Sequence, residues 1–512
     1  MNITGDLASS RPLGVARGLG GTLLDAATIY SRPVILTGDR DALDTDNGRW
    51  CLLNSLRLLA RIVGPLTVLL PAGLEALETE TRRLASGVWK KGTVTVATEG
   101  MPVAMETAVA ILNVGVRVEP GLPWTTINSN GWVARVSSGP NSLPSDTDQR
   151  NPLAAMMAAS FGVTEVFKRV YGIPHELAPL LDATQFSLFE LSTSPTGLGP
   201  PLPAKFSLPD AVMVGAGAIG NGIALLLSQL EACGRIHIID KQVYGRENLG
   251  TCTVLDDESW LGAPKAASLA SWLNRPDALV CTGEQAFVAD ARSGEVVRAM
   301  SVELVLNGLD DIGARHDAQL LWPSVLVDGG INAVGAAVRT HRLDRPNGAC
   351  MRCSFQLPRV DERESQVMVT GLSMQSLGSD LNRSLTEQDV LEADESKRAW
   401  LGEQMAKGKT ICATISEAQS HALGLELEEG FSPSVPFVAT ASAALVVAQA
   451  LKALLYPDAE VTQRFQMESI FFGPDASVGV LTRADPRCEC VTHRVIIERV
   501  AATRKRVMPS QY

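Results

Sequence analysis

The stretch "AVMVGAGAIGNGIALLLSQL", residues 211–230, constrains the fold more than any other part of the chain. Four apolar residues that read as a buried strand run into Gly215-x-Gly217-x-x-Gly220, and the apolar run from Ile223 to Leu230 reads as a helix. Gly215 permits a tight turn, Gly217 lets the backbone approach a phosphate, and Gly220 lets helix pack closely on strand. The helix start supplies unpaired N–H groups to an anion. A second strand, "RIHIID", ends in Asp240, twenty residues beyond Gly220, where a carboxylate can accept both hydroxyls of a ribose. By itself this unit suits any dinucleotide dehydrogenase.

The loop comes late in a chain of 512 residues, for which a prior of roughly 100–200 residues per domain predicts two to four domains. A boundary is expected at "TSPTGLGPPLPAKF", residues 193–206, which holds four prolines and two glycines. Before it lie short β-like runs at 33–38, 65–71, 93–98 and 108–114, with a helix expected over 47–63. This reads as a second α/β layer without a glycine loop. Two alanine-rich segments, "AAMMAASFGVTEVFKRVYGIP" ending at Pro174 and "VATASAALVVAQALKALLYPD" ending at Asp458, each place a lysine (Lys168, Lys452) one turn before a Tyr and a Pro. The two halves therefore read as related folds, the first having lost its nucleotide loop.

Composition excludes some classes of partner. The net charge is −11 and no run of five Lys/Arg occurs, so a nucleic-acid partner is not expected. The N-terminus lacks the charged and apolar regions of a signal peptide. The apolar stretch 437–456 is interrupted by Thr440, Ser442, Gln449 and Lys452 and reads as a buried helix, not a membrane span. A cytoplasmic protein with no membrane partner is expected.

Residues beyond the glycine loop narrow the chemistry. "DKQVYGRENLG…GAPKA" places Asn248-Leu249 eight residues after Asp240, and then Lys265; "VELVLNGLDDIGARHDAQLL" supplies Asp310, Asp311 and Arg315. An amide, an ammonium and a carboxylate beyond the strand ends suit a nucleoside triphosphate. Asn248 and Lys265 can hold phosphates, and Asp310 can hold Mg2+ through its hard oxygens. A dehydrogenase has no need of that set.

Nine cysteines, an odd number, point to thiol chemistry or metal binding, not a disulfide framework. Cys350 and Cys353 in "GACMRCSF" and Cys488 and Cys490 in "DPRCECVTH" are two chain-distant pairs that fit a tetrahedral structural Zn2+ site, with His493 as an alternative ligand to the tighter second pair; the other reading is four reduced, unliganded thiols. Cys51, Cys233 and Cys281 read as small core residues, and Cys252, near the phosphate loop, is left open. Cys412, in "KGKTICATISEAQ", follows the charged stretch 377–409. The ammonium groups of Lys407 and Lys409 beside it favour a thiolate, so it reads as a nucleophile or else as a loop cysteine of no consequence.

The order Gly-x-Gly-x-x-Gly, Asp240, Asn248-Leu249, Lys265, Asp310 and Cys350-x-x-Cys353 resembles the ThiF superfamily of ATP-dependent activating enzymes, which includes sulfur-carrier adenylyltransferases and ubiquitin-activating enzymes. The likeness covers residues 205–355 well and the rest loosely. It implies an α/β architecture of two Rossmann-like adenylation folds back to back in one chain, a pseudo-dimer. Residues 1–200 would be the inactive half and 205–512 the active half, with a catalytic-cysteine insertion over 356–432 and a zinc clip. It further implies ribose binding by Asp240, phosphate binding by Asn248 and Lys265, and a catalytic, Mg2+-associated role for Asp310, five residues before Arg315. "TICATI" resembles the neighbourhood of the acyl-accepting cysteine in autophagy-type activating enzymes, which implies a thioester at Cys412.

Three positions depart from the family pattern: Gln242 stands for a second Asp, Asp311 for an Asn, and Thr251 for a phosphate-binding Arg. Charge developing on the α-phosphate needs a cation, and Arg246, or Arg11 or Arg17 from the N-terminal segment, can supply it. The implied activity is ATP-dependent adenylation of the C-terminal tail of a ubiquitin-like protein, thioester formation on Cys412, and transfer to a conjugating enzyme. The alternatives are a sulfur-carrier adenylyltransferase and a non-catalytic scaffold. The alanine-, arginine- and glycine-rich composition and compact layout suggest a bacterial protein, and the resemblance implies an antiphage ubiquitin-like conjugation system.

Overall fold

The computed structural model describes residues 7–21, 26–146, 148–345, 348–355, 360–378, 380–381, 383–422, 435–459, 463–480 and 482–507. The chain divides into a larger unit, 1–353 with 433–512, and a smaller one, 354–432.

The larger unit holds two sheets. The first contains β1 (Val34–Gly38), β2 (Leu66–Leu70), β3 (Val94–Thr98), β4 (Ala110–Val114), β5 (Trp124–Asn130), β6 (Val133–Ser137) and β7 (Thr184–Ser187), in the order β3-β2-β1-β4-β5-β6-β7. The second contains β8 (Phe206–Ser207), β9 (Ala211–Val214), β10 (Ala232–Ile239), β11 (Leu279–Glu284), β12 (Leu304–Asn307), β13 (Val325–Ile331), β14 (Ala336–Arg342), β15 (Arg464–Met467) and β16 (Ser477–Val480). Its order is β11-β10-β9-β12-β13-β14-β15-β16, with β8 beside β10. The seven strands of the first order match the first seven of the second, which β16 extends by one. In each sheet the first five strands on this path run parallel and the later pairings are antiparallel. Central strands such as β1 and β9 are buried along their whole length, as continuous apolar runs in a sheet covered on both faces must be.

Register makes the echo between the halves specific. Thr37 pairs with Asn113 across β1 and β4, and Val214 pairs with Asn307 across β9 and β12. Thr37 also pairs with Leu69, and Val214 with Ile239. Counting on by one to three residues sets Gly38 against Gly215, Leu70 against Asp240 and Val116 against Asp310. The first half thus keeps the turn glycine and replaces both carboxylates. Where the second half has Ala216 it has Asp39, whose Oδ2 accepts the backbone N–H groups of Val116 (2.6 Å) and Arg117 (2.9 Å). An intrinsic carboxylate occupies amides at the strand ends of the first half.

Helices Pro152–Val170 and Pro436–Leu455 lie between the sixth and seventh strands of their respective sheets, and each starts with proline, which fits a first turn that has no N–H partner to lose. One packs on β5 and the helix Asp46–Leu59, the other on β13 and the helix Ala218–Ser228, and the two pack on each other, with Ser160 and Thr440 hydroxyls 3.1 Å apart. Small residues allow this close crossing. The echoed lysines are structural: Lys168 pairs with buried Glu165, and Lys452 donates to the Phe189 carbonyl. Pro436–Leu455 is long and apolar enough to cross a membrane by length and composition, yet 89% of its most apolar stretch is buried inside the fold.

The smaller unit is helical, with Val360–Thr370, Glu387–Glu392, Arg398–Ala406 and Ile411–Ala422 around Leu372, Leu377, Leu385, Leu401, Ile411 and Ile415. Arg383 grips Asp389 through both carboxylate oxygens (2.6 and 2.7 Å), holding that carboxyl well below its usual range.

Candidate functional site

The glycine loop lies where the second sheet reverses its order, since β10 and β12 flank β9 on opposite sides and open a crevice at the strand ends. Gly215 has φ of 91°, and a Cβ there would stand 3.1 Å from the Gly308 carbonyl carbon; at Gly220 it would stand 2.1 Å from the Gly215 oxygen. Both positions require glycine. At Gly217 a Cβ would meet open space, and the helix Ala218–Ser228 starts there with no side-chain cap. Its first-turn amides are left to a ligand.

Asp240 braces this loop. Its Oδ2 accepts the Ala216 N–H at 2.7 Å and its Oδ1 the Gln242 N–H at 2.8 Å. Carboxylate oxygens carry spare lone pairs, so both remain able to accept a hydroxyl. Two residues that the sequence pattern does not single out hold the loop from below. Buried Asn221 donates to the carbonyls of Ala216 and Gly217, both at 2.9 Å, and to the Tyr244 hydroxyl at 3.2 Å. An Asn directly after Gly220 carries no signal until the loop is folded over it.

Lys265 opens the helix Lys265–Leu273 and is 4% exposed. A cation at a helix N-terminus opposes the macrodipole, and burial away from water adds to the cost. Its Nζ donates to the neutral Gln242 Oε1 at 2.8 Å and lies 5.9 Å from the Tyr244 ring centre; among the described residues it has no carboxylate partner. Gln242 in place of an acid leaves this charge uncompensated, so the geometry asks for an anion. Asn248 closes the short turn Arg246–Asn248, with its Oδ1 accepting the Gly245 N–H at 2.9 Å.

Asp310 follows β12 on an exposed loop and makes no hydrogen bond or ion pair among the described residues. Asp311 caps the helix Ile312–Gln319 through the Ala314 N–H (2.7 Å). Arg315, five residues beyond Asp310, holds the Leu309 carbonyl at 2.8 Å and is itself anchored, with Arg339, on fully buried Asp328 (3.4 and 3.3 Å). Burial pushes the Asp328 carboxyl up, and the two guanidinium groups pull it back. The matching cross-strand pair in the first half is Thr126 and Ser137. The charged triad therefore belongs to the half whose loop carries Asp310.

The arginines fall differently. Arg246 is 63% exposed and paired with Glu258 at 3.1 Å, and Arg17 is exposed. Arg11, on the N-terminal helix Leu7–Gly18, is partly buried; that helix packs against the turn Arg246–Asn248. Burial lowers the Arg11 pKa, offset by the nearby Cys252 and Glu247. Thr251 is buried. Buried Cys252 has its thiol pushed up to about 11 by desolvation, against the pull of Lys265, Arg61 and Arg11.

Cys350, Cys353, Cys488 and Cys490 come together, with all four sulfurs within 4.8 Å of one another. The separations of 3.8 Å (Cys350–Cys353), 3.5 Å (Cys350–Cys488) and 3.6 Å (Cys353–Cys490) are far beyond a disulfide. They match the edge of a tetrahedron with ~2.3 Å metal–sulfur bonds. The donor set fits Zn2+, and four thiolates leave no open position for catalysis. Purified protein is expected to carry one zinc per chain by atomic absorption, and Cys350→Ser to lose it together with several degrees of melting temperature.

Cys412 lies in the smaller unit and is exposed. Thr410 caps the helix Ile411–Ala422 through the Ala413 N–H (3.2 Å), which puts Cys412 in the first turn, where the helix dipole favours a thiolate. The Lys409 ammonium, expected from sequence to act on the thiol, is held by the Glu417 carboxylate.

Residues 204–490, more than half of the chain, match the ThiF family, and the chain belongs to that family. Residues 33–181 match the BilD N-terminal domain. No curated protein matches. Among solved structures, E. coli MccB with MccA-N7isoASN is 14% identical at a TM-score of 0.36, over 55% of this chain and 67% of that one. E. coli MccB with ATP is 14% identical at 0.35, over 56% and 67%. The Microcin C7 biosynthetic enzyme MccB with N-formylated MccA is 12% identical at 0.36, over 72% and 97%.

Proposed function

We propose that the protein is an activating enzyme of a bacterial, antiphage ubiquitin-like conjugation system, adenylating the C-terminal carboxylate of a ubiquitin-like protein with ATP and taking the acyl group onto Cys412. The observation that carries this reading is the buried Lys265 ammonium beside the glycine loop, without a carboxylate partner among the described residues, with the carboxylates of Asp240 and Asp310 at the ends of the same sheet. Membership of the ThiF family supports the reading.

In this mechanism the amides at Gly217 and the Lys265 ammonium bind phosphate oxygens, and Asp240 orients the ribose. Mg2+, when bound at Asp310, neutralises charge on the phosphate chain. The substrate carboxylate oxygen attacks the α-phosphorus, and the bond to pyrophosphate breaks. The Cys412 thiolate, its proton already given to solvent, then attacks the acyl carbon and AMP leaves. A conjugating enzyme accepts the acyl group by transthiolation. Arg11 is the cation assigned to the place of the missing arginine at Thr251, because its helix packs on the Arg246–Asn248 turn while Arg246 is engaged by Glu258.

The first half is assigned a supporting role in an intramolecular pseudo-dimer. The matched strand orders, the crossing of Pro152–Val170 on Pro436–Leu455 and the Asp39 carboxylate seated on the Val116 and Arg117 amides favour this division. ATP–pyrophosphate exchange with a ubiquitin-fold partner tests the reading. Exchange that requires both the partner and its free C-terminus is expected; no exchange with any such partner would leave a non-catalytic scaffold.

A further inference from the structure

Arg61 belongs to the first half and reaches into the second. It is 1% exposed, and its guanidinium donates to four backbone carbonyls: Arg57 (2.7 Å), Cys252 (3.2 Å), Thr253 (3.0 Å) and Leu255 (2.6 Å). Among the described residues no carboxylate pairs with it. A neighbouring guanidinium, Arg57, lies on the same turn, donating to the Thr253 carbonyl at 3.4 Å and pairing with Asp256 at 3.2 Å. Buried cations are costly without a counter-ion, and carbonyl dipoles solvate one only in part.

The turn that Arg61 grips leads directly from the nucleotide loop. Cys252 N–H donates to the Asn248 carbonyl at 2.7 Å, and Thr251 N–H to the same oxygen at 3.1 Å. Cys252 lies in the combined field of Lys265, Arg61 and Arg11. Two guanidinium groups, Arg61 and Arg57, thus donate to one buried turn, and the carboxylate beside them, Asp256, is paired with Arg57. Fields of buried charges are weakly screened, so the Arg61 charge acts along the turn that leads back to Asn248.

We infer that Arg61 is a positioning residue for the phosphate chain: it fixes the turn Cys252–Leu255 and, through it, holds a permanent positive charge behind the phosphate site without touching the nucleotide. The supporting half then supplies part of the affinity for phosphate as a built-in charge. This rests on the nucleotide reading above and goes beyond it by separating phosphate recognition from adenosine recognition.

The test compares ATP and adenosine binding by isothermal titration in the full chain, with wild type, Arg61→Met, Arg61→Lys and Asp256→Asn. For Arg61→Met, ATP affinity is expected to fall at least tenfold with adenosine affinity within twofold, and Arg61→Lys is expected to recover most of the loss. Asp256→Asn removes a partly exposed acid that offsets the two arginines, so ATP affinity should rise two- to fivefold while adenosine affinity stays put. A purely structural brace predicts equal losses for ATP and adenosine in Arg61→Met and no gain in Asp256→Asn; either result overturns the inference. Should Arg61→Met not fold, the sign of the Asp256→Asn effect decides alone. Wild type that binds no ATP would instead sink the nucleotide reading itself.

Discussion

Asp310→Ala is expected to lower ATP–pyrophosphate exchange by ~10²–10³-fold, the cost of removing a preorganised electrostatic stabiliser from a phosphoryl site. Stability should change by no more than ~0.5 kcal/mol, because the side chain is exposed and makes no contact that folding depends on. Asp328→Ala is the informative contrast. Asp328 is fully buried and anchors Arg315 and Arg339, so its loss leaves two guanidinium groups facing a cavity. Breaking a buried ion pair costs ~3–5 kcal/mol, and exchange would fall because the protein unfolds. Thermal melts beside exchange rates separate the two: activity lost at constant melting temperature assigns a chemical role to Asp310. Full exchange in Asp310→Ala would remove it from the reaction and, with it, the proposed seat for Mg2+.

The distance between these two aspartates explains what can be read from sequence. Local patterns are legible. The strands expected at 33–38, 65–71, 93–98 and 108–114 are β1 to β4, because continuous apolar runs bounded by Gly and Pro leave little choice. Gly215, Gly217 and Gly220, and the two cysteine pairs, declare themselves by spacing. The hairpin β5–β6 escapes such a reading although Gly131, at φ 54°, starts its two-residue turn in the sequence "NSNGWVAR"; β5, "WTTINSN", is a buried and mostly polar run, without the apolar alternation that marks most hairpins. Long-range partners are not legible at all. Nothing near Arg61 in the chain predicts Leu255, 194 residues away, as its partner. Arg11 and Arg17 are equivalent in sequence, and only the docking of their helix distinguishes them. The ion pair of Lys409 with Glu417, eight residues along the chain, is likewise not declared by the local pattern around Cys412.

The sharpest expectation for the smaller unit falls on its cysteine. Cys412 lies in the first turn of Ile411–Ala422 and is exposed, so its thiol is open to an incoming acyl group. Cys412→Ala should leave partner-dependent ATP–pyrophosphate exchange within about twofold of wild type, since the thiol enters only after the adenylate has formed. It should abolish the covalent adduct between the enzyme and its ubiquitin-like substrate on a non-reducing gel. Cys412→Ser gives the decisive control: a serine can accept the acyl group only as an oxygen ester, which resists DTT where the thioester does not. The wild-type adduct is therefore expected to vanish with DTT, the serine adduct to survive it, and the alanine lane to be empty. An adduct that persists unchanged in Cys412→Ala would move the acceptor elsewhere. Exchange with no adduct in any variant, wild type included, would point instead to an adenylyltransferase that releases its acyl adenylate to a separate acceptor, as the sulfur-carrier reading requires.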